Sequence, residues 1–245
     1  MNEVFGEYVG LIDTRPIEHL GSADLSFDGQ LSPAMKIYED GGASGCGGKV
    51  WIAGELLCEY LIEKSDSENL LCDGSIKNIL ELGSGTGLVG ICVGLMEKQR
   101  FHKDIKVSIT DIGGLVPLME RNILLNKIAD ATVAKELMWG QQLPSEYMTT
   151  SVDGNCDNVS NVDLVVAADC VYAEKAFPLL EKILLDLTNC DNPPIILMAY
   201  RKRRKADKRF FVRIRKNFDV IEIDDFSSHE KYMKQRTHLF ELKRK

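Results

Sequence analysis

From residue 76 onward, short apolar runs alternate with stretches of helical periodicity. Residues 76–82, 106–111, 131–137, 162–168 and 194–199 read as strands. Between and after them, 87–98, 115–126, 176–187 and 207–216 repeat apolar residues at helical spacing. The run 162–168 is almost continuously apolar, the pattern of a strand buried on both faces. Segments 219–223 and 238–242 read as a closing antiparallel pair. Repeated strand–helix units predict an α/β fold: a Rossmann-like, seven-stranded, mostly parallel sheet with helices on both faces and its last strand antiparallel. Residues 140–160 are polar and loop-like.

Upstream, residues 1–48 are dense in turn signals such as Gly21-Ser22, Asp28-Gly29 and Ser32-Pro33. They predict an N-terminal extension with a short hairpin, ending in a flexible glycine loop at 41–48. Residues 50–61 then show apolar positions at helical spacing. The expected organisation is an extension over 1–48 and one domain over 49–245.

Composition narrows the class. With 44% apolar and 27% charged residues over 245 positions, one large soluble domain is expected. No apolar run approaches the roughly 20 residues that span a bilayer, and the N-terminus lacks the basic and apolar regions of a secretory signal. The seven cysteines are scattered without a C-x-x-C, so reduced thiols in a cytosolic or nuclear protein and no zinc site are expected. His19, His102, His229 and His238 show no ligand spacing, so no metal is expected. The net charge of −7 hides an asymmetry. Residues 201–216 hold ten Lys or Arg against Asp207 alone, +9 locally, which leaves about −16 for the rest. A solvated face accounts for such a run; an acidic partner or RNA is the sharper alternative.

The chemistry concentrates at Ile79-Leu80-Glu81-Leu82-Gly83-Ser84-Gly85-Thr86-Gly87-Leu88-Val89-Gly90. An apolar run ends in an acid, glycines alternate, and apolar residues resume at helical spacing. Such a strand–turn–helix lets backbone approach a nucleotide-type ligand. Gly85 to Gly90 formally satisfies the dinucleotide pattern G-x-G-x-x-G, a weak signal alone. Glu81 just before the loop argues against a dinucleotide. So does Asp111, 28 residues after Gly83, where about 20 is expected. Both suit S-adenosylmethionine, which has no pyrophosphate and whose ribose hydroxyls need a carboxylate at a strand end. Asp111 is the candidate for that contact; a helix N-cap is its plainer alternative.

The chain resembles the seven-β-strand class I methyltransferases, and more narrowly the methyltransferase-like protein-lysine methyltransferases with an Asp-x-x-Tyr motif. The resemblance rests on Trp51 before an apolar helix, the segment Glu81 to Gly87, Leu137-Met138-Trp139-Gly140 after the third strand, and Asp169-Cys170-Val171-Tyr172 at the end of the fourth. Glu18-His19-Leu20-Gly21, the Gly-Gly-rich segment before Trp51 and Ala199 to Lys208 resemble one fungal branch, which methylates translation elongation factor 1-alpha on lysine. The resemblance implies S-adenosylmethionine bound by Trp51, Glu81, Gly83, Ser84, Gly85, Gly87, Asp111, Trp139 and Ala168. Trp139 would lie against the adenine and Trp51 beside the methionine end; an ordinary core role is the alternative for each. Asp169 and Tyr172 would serve the acceptor lysine. Their alternatives are an N-cap and helix packing.

Asn192-Pro193-Pro194-Ile195 resembles a motif of adenine amino-methyltransferases, yet it precedes a strand instead of ending one and reads as a turn. The expectation is therefore a cytoplasmic, monomeric protein-lysine N-methyltransferase with a protein substrate. An RNA or small-molecule methyltransferase on the same fold is the alternative.

Overall fold

The computed structural model describes residues 21–40, 42–68, 70–148, 150–151 and 158–245. The motif Glu18 to Gly21 lies mostly outside them. A seven-stranded sheet runs in the order β10-β11-β9-β8-β3-β4-β5. Its members are β3 (Asn78–Leu82), β4 (Lys106–Asp111), β5 (Thr132–Glu136), β8 (Leu164–Ala168), β9 (Ile195–Arg201), β10 (Phe218–Glu222) and β11 (Thr237–Arg244). β3 pairs parallel with β4 and with β8, β4 with β5, and β8 with β9. β11 runs antiparallel to both β9 and β10, so the last strand is inserted between them. Two antiparallel hairpins stand apart from this sheet: β1 (Gly21–Leu25) with β2 (Met35–Glu39), and β6 (Thr150–Ser151) with β7 (Asn158–Val159).

Strand alternation splits the core. Ile79, Val107, Ile109, Leu164 and Val166 face one layer, and Leu80, Leu82, Val165 and Ala167 face the other. The first layer holds α1 (Ile52–Ser67), α2 (Leu88–Met96), α3 (Val116–Asn126) and the short α6 (His229–Lys234). The second holds α4 (Phe177–Leu187) and α5 (Lys208–Ile214). Every residue of α2 is buried, because α1, α3 and β2 all pack on it over the sheet. The helix predicted at 50–61 runs on to Ser67, six residues past its sequence signal; its polar end is held by Lys64, which pairs with Glu68 and Asp225.

The N-terminal extension packs onto the main core where it is described. Leu31, Met35 and Ile37 are buried there with α1 and α2. Asn122 of α3, fully buried, anchors it: its Oδ1 accepts from the Tyr38 N–H (2.7 Å), and its Nδ2 donates to Tyr38 O (3.1 Å) and Thr86 O (2.9 Å). Asn126 makes the matching pair of bonds with Lys36. One side chain thus ties β2 to the glycine turn. A hairpin edge needs its backbone groups met, and two asparagines on one helix face do it.

Asn122→Ala leaves three backbone groups, one buried and two partly buried, without that partner. It is expected to cost about 2–4 kcal/mol in urea unfolding, with faster amide exchange in residues 35–39, since each orphaned buried group costs about 1–3 kcal/mol.

Candidate active site

The chain reverses direction across the sheet between β3 and β8, first building outward through β4 and β5, then returning to β8 and β9. Open α/β sheets place ligands at the carboxyl ends of strands at such a point. A cavity of about 410 Å³ opens there. It is lined from β3 and its turn by Glu81, Gly83, Ser84, Gly85 and Thr86, from β4 by Asp111, and from β8 by Ala168, Asp169, Cys170 and Tyr172. Trp139, Trp51 and Arg203 complete it with the 43–47 loop.

The turn is held by a compact set of bonds. Ser84 N–H donates to Thr110 O (3.0 Å), and Thr110 N–H donates back to Ser84 Oγ (2.9 Å). Thr110 Oγ1 donates to Glu81 O (2.6 Å). Gly85, at φ +55°, donates its N–H to Asp111 Oδ2 (2.8 Å). A Cβ on Gly85 would stand 2.8 Å from Gly47 O, so glycine is required both by φ and by the neighbouring loop. Glu81 Oε2 accepts from Gly90 N–H (2.8 Å).

This bonding bears on which ligand class the turn suits. The N–H groups that a dinucleotide fold turns on a pyrophosphate are here engaged within the chain: Gly85 by Asp111, Gly87 by Ser84 O, Gly90 by Glu81. Two acidic side chains also border the space, and in their charged forms they repel phosphate. The arrangement suits a nucleoside that carries hydroxyl donors and positive charge.

Both carboxyls are perturbed. Burial pushes Glu81 up to about 8, opposed by the N–H bonds from Gly90 and Val89. Burial raises Asp111 to about 6, opposed by the N–H groups of Gly85 and Ile112. Asp111 is half-buried and lines the cavity. Acids perturbed in this way within a cleft make it a candidate binding site. The N-cap alternative for Asp111 does not hold, since Ile112 precedes the next helical turn and no side chain caps it.

Asp169 ends β8 in the left-handed region, φ +59°. Its N–H donates to Ala199 O (2.9 Å). Its carboxylate does not cap a helix; it meets the fork of Arg203, Nη1 to Oδ1 at 2.7 Å and Nη2 to Oδ2 at 2.6 Å. Side-chain exposures of 13% for Arg203 and 6% for Asp169 make this a buried pair, so losing either partner strands a charge at about 3–5 kcal/mol. Arg203 also lies 5.4 Å from the Trp51 ring, whose Nε1 donates to Cys46 O (2.8 Å). Burial pushes the Tyr172 hydroxyl far up, so it stays neutral.

The structure therefore brings Trp51, Glu81, Gly83, Ser84, Gly85, Asp111, Trp139, Ala168, Asp169 and Tyr172 to one cavity. Gly87 stands outside the lining. It is the N-cap of α2 at φ +82°, and a Cβ there would lie 2.7 Å from Ile109 Cδ1, so it serves close helix–strand packing. Sequence reasoning missed the 43–47 loop and Arg203. The glycine run before Trp51 was a signal for the first. Arg203 was hidden within a basic run expected to be solvated. That run is partly neutralised instead: Arg203 by Asp169, Arg204 by Asp207, Arg209 by Glu174 and Arg213 by Glu181. Among the described residues there is no cluster able to hold a metal ion and no helix long and apolar enough to cross a membrane.

Glu81 and Asp111 hold their protons more tightly folded than unfolded. Each therefore lowers stability as pH rises from its ordinary value through its folded one, 4.5 to about 8 for Glu81 and 3.8 to about 6 for Asp111. Without ligand, the urea midpoint is expected to fall less between about pH 5 and about pH 8 in Glu81→Gln than in the wild type.

Known proteins match the chain over most of its length. A family model described as lysine methyltransferase matches residues 30–217. The chain is 59% identical, over the full length of both, to a Saccharomyces cerevisiae protein named protein-lysine N-methyltransferase EFM6. It is 32% identical to mouse protein N-lysine methyltransferase METTL21A, covering 84% of this chain and 82% of that one. The zebrafish METTL21A protein is 30% identical over the same shares. With the fold, the cavity and these matches together, the chain belongs to the lysine methyltransferase family.

Proposed function

We propose that the protein transfers a methyl group from S-adenosylmethionine to a lysine side chain of translation elongation factor 1-alpha, acting in the cytoplasm as a monomer. The observation that carries the cofactor is the turn whose N–H groups are engaged by Glu81 and Asp111, leaving carboxylates in place of an anion cradle. The acceptor class follows from the family and from Asp169 and Tyr172 on the same cavity. The choice of elongation factor rests on the resemblance of Ala199 to Lys208 and of the glycine segment before Trp51 to one fungal branch.

When bound, the cofactor supplies a methyl group activated on a sulfonium sulfur. Asp111 would hold the ribose hydroxyls and Trp139 the adenine. Trp51, the backbone of Gly83, Ser84 and Gly85, and Ala168 would hold the remainder. Glu81 anchors the turn, and a cation bound nearby would favour its charged form. At the β8 end, Asp169 accepts a hydrogen bond from the acceptor amine and Tyr172 bounds it with a neutral ring. A lysine begins near pKa 10.4 and sheds a proton before attack. In-line displacement needs alignment and exclusion of water, and an apolar-walled cavity provides both.

Labelled cofactor and purified elongation factor test the reading. Label on lysine is expected with the wild type. Asp169→Asn is expected to lower turnover about 100-fold, the scale of a lost positioning contact, with cofactor affinity changed less than about threefold. Trp139→Ala is expected to weaken cofactor binding by about tenfold, the scale of one lost base–aromatic stack. No labelled lysine, with transfer to RNA or a small molecule instead, overturns the proposal.

A further inference from the structure

The segment from Tyr200 to Asp207 grips the Asp169–Tyr172 turn at both ends. Arg203 holds the Asp169 carboxylate by its fork, and the Arg201 N–H reaches the same carboxylate at 3.3 Å. Arg204 Nη2 donates to Tyr172 O. The segment is itself pinned by Asp207, which is 1% exposed. Asp207 Oδ2 accepts from Tyr200 OH (3.0 Å), Arg204 N–H (3.1 Å) and Arg203 N–H (3.4 Å). Asp169 is thus held from outside the motif that contains it.

We propose that Arg203 is a positioning residue for the acceptor amine: it fixes the Asp169 carboxylate and cancels its charge, so that the site takes the amine neutral. The inference rests on the lysine reading given above. A bare buried carboxylate binds an ammonium as an ion pair and raises its pKa. That stabilises the unreactive form, because a protonated amine has no lone pair for the methyl carbon. With the guanidinium in place, the pair carries no net charge and a second cation is opposed. The amine sheds its proton to water, its lone pair forms the C–N bond, and the C–S pair returns to sulfur. Asp169 keeps enough acceptor capacity to orient the remaining N–H.

The surrounding groups support this balance. Lys49 lies on the same cavity and adds positive potential. Cys170 and Tyr172 are held neutral, their pKa values raised by burial. Glu81 and Asp111 sit at the ends of β3 and β4, on the part of the cavity assigned to the cofactor. A role for Arg203 as a movable plug over Asp169 is disfavoured. Both members of the pair are buried, and the Arg203 backbone is fixed by Asp207.

The test compares wild type, Arg203→Gln and Arg203→Lys at temperatures where all three remain folded and bind cofactor. The pH dependence of kcat reports groups of the loaded complex. In Arg203→Gln, the ascending limb is expected to move up by about one pH unit, with kcat at neutral pH falling at least tenfold. In Arg203→Lys, which keeps charge without the fork, the limb is expected to stay while kcat falls. An unmoved limb in Arg203→Gln overturns the charge role, and a rate equal to or above wild type overturns positioning altogether. Amide exchange over residues 168–173 reads the clamp without any substrate. It is expected to speed up at least tenfold in Arg203→Gln, and unchanged exchange overturns the clamp. Should the wild type methylate no lysine, the functional reading falls while this exchange measurement still decides the grip of Arg203 on Asp169.

Discussion

Thr110 is the point on which the site turns. Its N–H and hydroxyl, with its carbonyl, bind the β3–α2 turn to the adjacent strand through Ser84 and Glu81. A turn this tight between a strand and a buried helix has backbone groups that water cannot reach, so each must find a partner in the protein. Once those bonds are made, Asp111 is one residue beyond Thr110 and its carboxylate falls on Gly85 N–H. Glu81 falls on Gly90 in the same way. The two carboxylates therefore bind the ligand space as a consequence of how the turn is closed.

The same logic recurs on the far side of the cavity with charges of both signs. Asp169 is buried in a left-handed conformation and is neutralised by Arg203, while the Arg203–Arg204 segment is neutralised in turn by Asp207. Burying any one of these groups alone would cost several kcal/mol. As an alternating chain each has a partner, and the result is a rigid wall where an acceptor must be aimed. The Glu81 and Asp111 carboxyls lack such cations, and burial leaves them easy to protonate without a ligand. One side of the cavity is thus balanced within the chain, and the other awaits a cation or hydroxyl donors.

Much of this was legible in the order of residues. The apolar runs at 76–82, 106–111 and 162–168 became β3, β4 and β8 within a residue or two at most ends, because burial on both faces leaves only apolar side chains. Glu81 and Asp111 stood out because acids at the ends of such runs have no packing reason to be there. The insertion of β11 between β9 and β10 was not legible, since an antiparallel pair is compatible with either strand at the edge. The short α6 escaped notice because six residues with three charges carry little periodicity. Residues 31–48 looked like an appendage because their turn signals report local breaks, whereas their burial depends on Asn122 and Asn126, some 84 to 90 positions away.

What the sequence by itself determined is the layered α/β architecture and the set of strand ends that bear chemistry. Both follow from local patterns, apolar period and acid after strand, that a neighbour cannot change. What only the tertiary structure decided is which charges meet. Arg203 was one of ten cations in a short basic run, and nothing in that run distinguishes it. The return of β9 alongside β8 brings it to Asp169, 34 residues earlier, while Arg213 goes to Glu181 within the α4–α5 layer. Charge run and charge pair have the same sequence, and only the distance between side chains across the sheet separates them.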